Sequence, residues 1–300
     1  GLLAILTALS QADLVVALGV RFNWLLMFGK GFPQAKVVRV DVDPAELDRN
    51  RACDVGLAGD IGLTATALEG LVARRDRGAW RRSLREAYAP MLAEDRKLRD
   101  TPSTPIHPVR LVAQVRRAAG DAALYVVDGG DTSYFGITGL TARAPAAVVG
   151  AAGGQFGCLG TGVPFAIAAK AARPEQTVVA ISGDGSFGLN AMEFDTAVRH
   201  NLPFVCVVNN DGAWGMIKHG QEVCYGADRV VGSELGRVHY EAMVAALGGH
   251  GEQVEEDGEL LPALERALAS GKPACVNVFT DPCAVSLATY QFVEGFKMEP

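Results

Sequence analysis

No two of the six cysteines form a C-x-x-C pair; Cys53, Cys158, Cys206, Cys224, Cys275 and Cys283 are scattered along the chain. That spacing argues against the usual zinc-thiolate and dithiol redox motifs, and the expectation is buried free thiols in a reducing compartment. Basic charge is also scarce. Lysine and arginine total 28 against 34 acidic residues, giving a net charge of −6. A surface of that sign is a poor match for nucleic acid. The arginines at 74, 75, 77, 81, 82 and 85 read as a helix face and not as a sequence-reading element. No apolar run approaches the roughly 18 residues that a spanning helix needs. No basic-then-apolar leader is apparent either. A cytoplasmic protein with no membrane or nucleic-acid partner is expected.

Aromatic residues are few, at 7%, whereas glycines number 35 and hydrophobic residues make up 49% of 300 positions. This is the composition of an α/β enzyme large enough to bury a substantial core, and not of a disordered or fibrous chain.

Short, continuously apolar runs are the mark of buried parallel strands. After a helical pattern over residues 1–10, such a run occupies 14–19 and ends in Gly19. A second covers 36–43, with alternating valines, an acidic tip at Asp41 and Asp43, and Pro44 placed to open a helix. Residues 56–60 form a third strand and 63–75 a helix. Three strands are too few for a complete doubly wound domain. Residues 1–75 therefore read as the latter half of a Rossmann-like middle domain whose partner strands lie upstream. Residues 76–105 change character, with a charged amphipathic stretch over 80–99 and a turn-rich break over 100–105; this is the helical linker and domain boundary.

From 106 to 300 the signals alternate. Helices are expected at 108–119, 161–173, 190–200, 238–247 and 258–269, with strands at 123–128, 176–182, 203–208 and 273–280. A long glycine-containing loop follows the third of these strands. The fold class is α/β, a doubly wound parallel sheet. Ligands of such sheets sit outside the carboxyl ends of the strands. Asp128 to Asp131, Gly183-Asp184-Gly185 and Asn209-Asn210 all fall at such ends.

The most informative segment is Gly183-Asp184-Gly185-Ser186 with the doublet Asn209-Asn210 about two dozen residues on. An aspartate after one buried strand and an asparagine after the next offer oxygen ligands to a hard divalent cation. Mg²⁺ binds through few protein groups plus substrate phosphates, and the glycines let backbone close around a diphosphate. Ile167-Ala168, Pro174, Val179 and Ile181 precede the motif at matching spacing. Together these residues resemble the thiamine diphosphate motif. Residues 106–300 look like the diphosphate-binding domain of the acetolactate synthase and pyruvate decarboxylase superfamily, and residues 1–75 like the latter half of its middle domain.

The resemblance implies site residues. Asp184, the side chain of Asn210 and the carbonyl of Gly212 would hold Mg²⁺. Gly183, Gly185 and Ser186 would cradle the diphosphate, with Gly212 and Ala213 closing the same loop. Gly130, Asp131 and Thr132 match the loop that meets the diphosphate from the other side. An acidic side chain beside phosphate is unhelpful, so Asp131 is expected to point away. Gly157 would offer its carbonyl to the aminopyrimidine, and Leu159 would be the apolar wedge that bends the cofactor into a V. Trp214, Met216, Ile217, His219 and Gln221 would line the substrate side. For His219 a solvent-facing helix histidine is the reading taken, with an acid–base group as the alternative.

Gly19-Val20-Arg21-Phe22 and the acidic tip at Asp41 match segments that touch FAD in acetolactate synthases. Asn23-Trp24 departs from that pattern toward the CoA-linked lyases, whose middle domain binds a nucleotide; an empty vestigial fold is the third possibility. The activating glutamate of this superfamily lies in a pyrimidine-binding domain, and no segment here matches it. That domain is expected from a missing N-terminal segment or a partner chain, in a homodimer or tetramer, and the 300 residues alone are expected to be inactive. The implied activity is carbon–carbon bond formation or cleavage on a 2-oxo acid, as in acetolactate synthase. The alternatives are a 2-hydroxyacyl-CoA lyase or oxalyl-CoA decarboxylase acting on an acyl-CoA, and a non-catalytic cofactor-binding scaffold.

Overall fold

A computed structural model describes residues 2–151 and 156–296. Two compact units divide the chain, Gly1–Ala93 and Glu94–Pro300. In the first, α1 (Leu2–Gln11) precedes β1 (Leu14–Leu18), β2 (Lys36–Asp41) and β3 (Val55–Ala58), which pair in parallel in that order. The helix α2 (Ile61–Glu69) stops at Gly70, short of the expected residue 75. Pro44 opens only a single turn, Pro44–Glu46, capped by the Asp43 carboxylate on the Ala45 N–H. The small core holds Phe22, Phe32 and Val37. The buried Arg39 guanidinium stacks 4.2 Å from the Phe22 ring centroid.

The helix α3 (Gly78–Asp100) carries Arg81, Arg82 and Arg85, whereas Arg74, Arg75 and Arg77 lie ahead of it. The six arginines therefore do not make one helix face. All six cysteines are free, but only Cys206 and Cys275 are buried, while Cys158, Cys224 and Cys283 are exposed. Uniform burial of the thiols was the wrong expectation. Among the described residues no helix is long and apolar enough to cross a membrane.

The second unit runs α4 (Pro108–Ala119), β4 (Leu124–Asp128), α5 (Asp131–Gly139), β5 (Val148–Gly150), α6 (Gly162–Ala172), β6 (Val178–Gly183), α7 (Asp184–Asn190), α8 (Phe194–Arg199) and β7 (Val205–Asn210). It continues through α9 (Gly215–Tyr225), α10 (Tyr240–Ala246), β8 (His250–Val254), α11 (Asp257–Ala269), β9 (Ala274–Phe279) and α12 (Leu287–Phe296). The loop expected after β7 thus contains a helix, α9. The sheet is wholly parallel in the order β5-β4-β6-β7-β9-β8.

Neighbouring strand residues point to opposite faces, so the valine-rich runs feed two cores at once. Tyr125, Val127, Ile181, Val207 and Val276 pack on one face with Leu111, Val115 and Leu264. Val126, Ala180, Cys206, Val208 and Cys275 pack on the other with Phe187, Phe194 and Val244. From β4 the chain goes to β5 on one side and then returns to β6 on the other. That reversal makes the carboxyl ends of β4 and β6 the switch point, where open α/β sheets bind ligands.

Candidate cofactor and metal site

Asp128 ties the switch point together. Its carboxylate accepts the Gly129 and Gly162 N–H groups, each at 2.8 Å, and the Ser182 hydroxyl at 3.3 Å. Burial raises its pKa, opposed by those donors. The ends of β4 and β6 and the start of α6 are thereby joined. Gly129 has φ +108°, and a Cβ there would lie 3.2 Å from the Gly183 nitrogen. The two strand ends approach so closely that a side chain at 129 has no room.

Gly130 precedes α5 with no side-chain cap, so the first amides of that helix lack intrahelical acceptors. Thr132 accepts a 2.9 Å hydrogen bond from Asn209 Nδ2, which links α5 to the end of β7. Asp131 is turned away from that turn, as expected. Its Oδ1 accepts the Ser286 N–H at 3.0 Å and the Thr289 hydroxyl at 2.5 Å. Its Oδ2 meets His219 Nδ1 at 3.1 Å. With the carboxylate so engaged, residue 131 has only its backbone to offer a ligand.

β6 and β7 are paired so that Gly183 faces Asn209, which brings the next residues, Asp184 and Asn210, side by side. Asp184 is 2% exposed; its Oδ1 accepts the Gly185 N–H at 2.8 Å, and its Oδ2 is buried with no partner. Burial, reinforced by the charge of Asp211, pushes its pKa up to about 8, against the Gly185 N–H. Asp211 is also pushed up by burial, less strongly. Such a carboxylate is a strained host for its own charge, and a cation relieves it.

Asn210 spends its NH₂ on the Val238 carbonyl at 3.1 Å and Asn277 Oδ1 at 3.0 Å, leaving Oδ1 toward the following loop, where it accepts the Gly212 N–H at 3.2 Å. Among the described residues no group of three or more His, Cys, Asp or Glu could hold a metal. One carboxylate and one amide oxygen suit Mg²⁺, which takes the rest of its shell from phosphate and water. The residues fit the cation and diphosphate that the motif implies. The Gly212 carbonyl accepts the N–H groups of Leu235 at 2.7 Å and Gly236 at 3.0 Å. Both acceptor directions of that oxygen are used, so a cation bound there would displace one of these N–H groups.

Gly185 and Ser186 are buried in the first turn of α7. The indole of Trp214 lies over Gly185, where an added Cβ would come within 2.7 Å of the ring. Met216 covers Gly130 in the same way, at 2.7 Å. The chain of Ala213 is buried and its N–H is taken by Asp211 Oδ1 at 3.1 Å. Gly157 and Gly160 have φ +57° and +76°. The Gly160 carbonyl accepts Asn190 Nδ2 at 2.7 Å, so the loop bearing Leu159 is fastened to α7. Leu159 itself is 38% exposed, available to a ligand.

His219 is buried, 2% exposed, with Nε2 3.0 Å from the Pro282 carbonyl, so the solvent-facing reading is corrected. Gln221 is also consumed: it holds the Val231 backbone and the Ser233 hydroxyl. Ile217 is exposed. Asn209, Asn277 and Glu241 were missed by the sequence reading beyond the first as part of the doublet. Asn277 and Glu241 carry no local motif; the β7–β9 register brings Asn277 beside Asn210, and Glu241 reaches Asn277 from α10. In the first unit, Asp41 accepts the Asp43 N–H, and Asn23 caps the turn at Leu25.

Two family models match the chain. The C-terminal TPP-binding domain of thiamine pyrophosphate enzymes covers residues 128–278, and their central domain covers residues 1–68. A probable acetolactate synthase of Mycobacterium bovis is 40% identical over 279 residues, 92% of this chain and 50% of the relative. A 2-hydroxyacyl-CoA lyase of Arabidopsis thaliana is 32% identical over 301 residues, 92% of this chain and 51% of the relative. A 2-hydroxyacyl-CoA lyase of Mus musculus is 31% identical over 300 residues. The chain spans about half the length of these curated relatives.

Proposed function

This chain belongs to the thiamine pyrophosphate enzymes, and from that premise we propose that the intact protein uses thiamine diphosphate and Mg²⁺ to join or break a carbon–carbon bond beside the carbonyl of a 2-oxo acid. The observation that carries this is the buried, unpartnered Oδ2 of Asp184 at the switch-point end of β6. A divalent cation on a diphosphate supplies the partner that the protein withholds.

In this reading Asp184 and Asn210 hold the cation, while the cofactor's phosphates complete its shell. The amides of Asp131, Thr132 and Ser186 receive the diphosphate oxygens, where helix N-termini favour anions, while the Gly185 N–H stays on Asp184 Oδ1. The Gly157 carbonyl and the Leu159 side chain orient the pyrimidine. Trp214, pressed on Gly185, and Met216, pressed on Gly130, wall the site and exclude water on the substrate side. When bound, the thiazolium ring supplies a nucleophilic carbon and an electron sink. We assign the activating glutamate to a pyrimidine-binding segment outside these 300 residues or to a partner chain in a homodimer or tetramer. The half-length match to the relatives supports that assignment.

An acetolactate synthase-like reaction leads because the relative with that name is the more similar, at 40% identity. A 2-hydroxyacyl-CoA lyase reaction is the second reading. The lyase relatives at 32% and 31% favour it, as does Asn23-Trp24 in the first unit. Calorimetric titration of the intact protein with thiamine diphosphate, with and without Mg²⁺, tests the cofactor. Binding that ignores Mg²⁺ sinks the site. Product analysis with pyruvate against a 2-hydroxyacyl-CoA then separates the two reactions; turnover of the thioester alone selects the second.

A further inference from the structure

Asn210 has a side-chain amide whose two ends look alike in shape and differ in chemistry. Only its oxygen can face a cation. Two neighbours remove the ambiguity. The Val238 carbonyl can only accept, and it receives Asn210 Nδ2 at 3.1 Å and Asn277 Nδ2 at 2.9 Å. Both amides must therefore turn their nitrogens toward it. Asn277 Oδ1 then accepts the second proton of the Asn210 NH₂ at 3.0 Å. Glu241 Oε2 accepts from Asn277 Nδ2 at 2.7 Å, and Glu241 Oε1 meets His239 Nδ1 at 3.0 Å. Asn277 is fully buried and Glu241 is nearly so.

We infer that Asn277 and Glu241 are positioning residues that fix the Asn210 amide with its oxygen presented to the loop at Gly212, where the proposed cation would sit. The inference rests on the cation reading of Asp184 and Asn210. Asn277 sits on β9, two positions before the register partner of Asn210, so the sheet itself supplies the alignment. Each hydrogen bond in the chain leaves the next group one remaining orientation. A carboxylate at 277 breaks this logic at two points. It has no donor for Glu241 or for Val238, and it adds a like charge against Glu241.

The test uses the intact protein and reads the Mg²⁺ concentration that half-saturates thiamine diphosphate binding, followed by tryptophan fluorescence, alongside the melting midpoint without metal. Asn277→Asp is expected to raise the Mg²⁺ requirement roughly 10- to 100-fold, the range for groups that orient metal ligands. Glu241→Ala is expected to raise it less, and Glu241→Gln to restore it, because the glutamine oxygen still accepts from Asn277. The metal-free midpoint of Glu241→Gln stays at the wild-type value. A wild type whose binding ignores Mg²⁺ overturns the reading of the site and this inference with it. A wild type that responds, beside an Asn277→Asp variant with an unchanged Mg²⁺ requirement, overturns the positioning role alone. If Asn277→Asp does not fold, the Glu241 pair decides: a raised requirement in the alanine variant that glutamine reverses supports the role, and two wild-type curves overturn it.

Discussion

His219 Nδ1 lies 3.1 Å from Asp131 Oδ2, with both side chains buried. Through this pair α9 is held to the first turn of α5, and the other carboxylate oxygen holds the entry to α12 through Ser286 and Thr289. One aspartate thus clamps three helices around the strand ends. Its position next to Gly130 makes the clamp part of the scaffold behind the turn proposed to meet the diphosphate. The first amides of α5, at Asp131 and Thr132, have no intrahelical acceptor.

The clamp predicts a pH dependence of stability. Burial disfavours the charged imidazole, but the Asp131 hydrogen bond, the Pro282 carbonyl and the charges of Asp131 and Asp211 outweigh it and raise the His219 pKa above 6.5. A raised pKa means that the folded state binds the proton more tightly than the unfolded chain. The contribution is complete below 6.5 and is lost as pH rises through the folded value. Denaturant midpoints of wild type and His219→Gln should differ most in mild acid and converge at alkaline pH. A constant gap across that range would falsify the linkage. Removing the imidazole costs about 3 kcal/mol in acid, typical of breaking one side of a buried pair.

Gly185→Ala tests the wall formed by Trp214. The new methyl would meet the indole at 2.7 to 2.8 Å, too close for any rotamer to ignore. Overpacking of this kind costs about 1–3 kcal/mol. The indole must shift, and thiamine diphosphate affinity should fall with it. Trp214→Leu made in the same chain should return part of the lost stability, which a double-mutant cycle measures. Purely additive effects would show that the two residues do not press on one another.

Arg110 forks onto Asp257 through Nε at 2.8 Å and Nη2 at 2.9 Å, and its Nη1 donates to the Arg99 carbonyl at 3.0 Å. The pair joins α4 to the first turn of α11 and is mostly shielded from water, with side chains 14% and 11% exposed. Lysine keeps the charge and loses the planar fork. Arg110→Lys should therefore destabilise the protein by about 1–2 kcal/mol, as loss of a charge-assisted hydrogen bond does. Thermal melts at low and high salt should give nearly the same loss. A loss that vanishes in salt would mark the pair as an ordinary surface contact.

The strand ends were legible in the sequence because buried parallel strands are written as short apolar runs, and Val178–Gly183 and Val205–Asn210 are such runs. The candidate site residues stood out because Asp184 directly follows the first run and Asn210 closes the second. The turn also spells G-x-G-x-x-G through Gly183, Gly185 and Gly188, a spacing shared with dinucleotide-binding turns. The buried aspartate inside it, absent from that logic, tells the two apart. What stayed hidden depended on distance along the chain. His219 reads as an ordinary helix residue until Asp131, 88 positions away, is placed against it. The short strands β5 and β8 were missed: Val148–Gly150 is three residues long, and His250–Val254 is polar and lies at the sheet edge. The partners of the Gly212 carbonyl, Leu235 and Gly236, stayed hidden because they come from a loop with no periodic signal.

Asp184→Asn separates stability from function most sharply. Burial and the charge of Asp211 both oppose an ionised Asp184 and push its pKa up to about 8, and one of its oxygens has no partner. Without a cation this is a cost. The amide has nearly the same shape, and its oxygen can keep the Gly185 N–H. Neutralising the group should therefore raise the stability of the metal-free protein, by about 1–2 kcal/mol on the scale of an imperfectly satisfied buried polar group. The same change removes the anionic ligand, so the added stability that Mg²⁺ with thiamine diphosphate gives the wild type should disappear. Melting curves with and without both ligands read the two effects in one experiment. A variant that is less stable without metal, or that still gains stability from Mg²⁺ and cofactor, would show that Asp184 serves packing and not the cation.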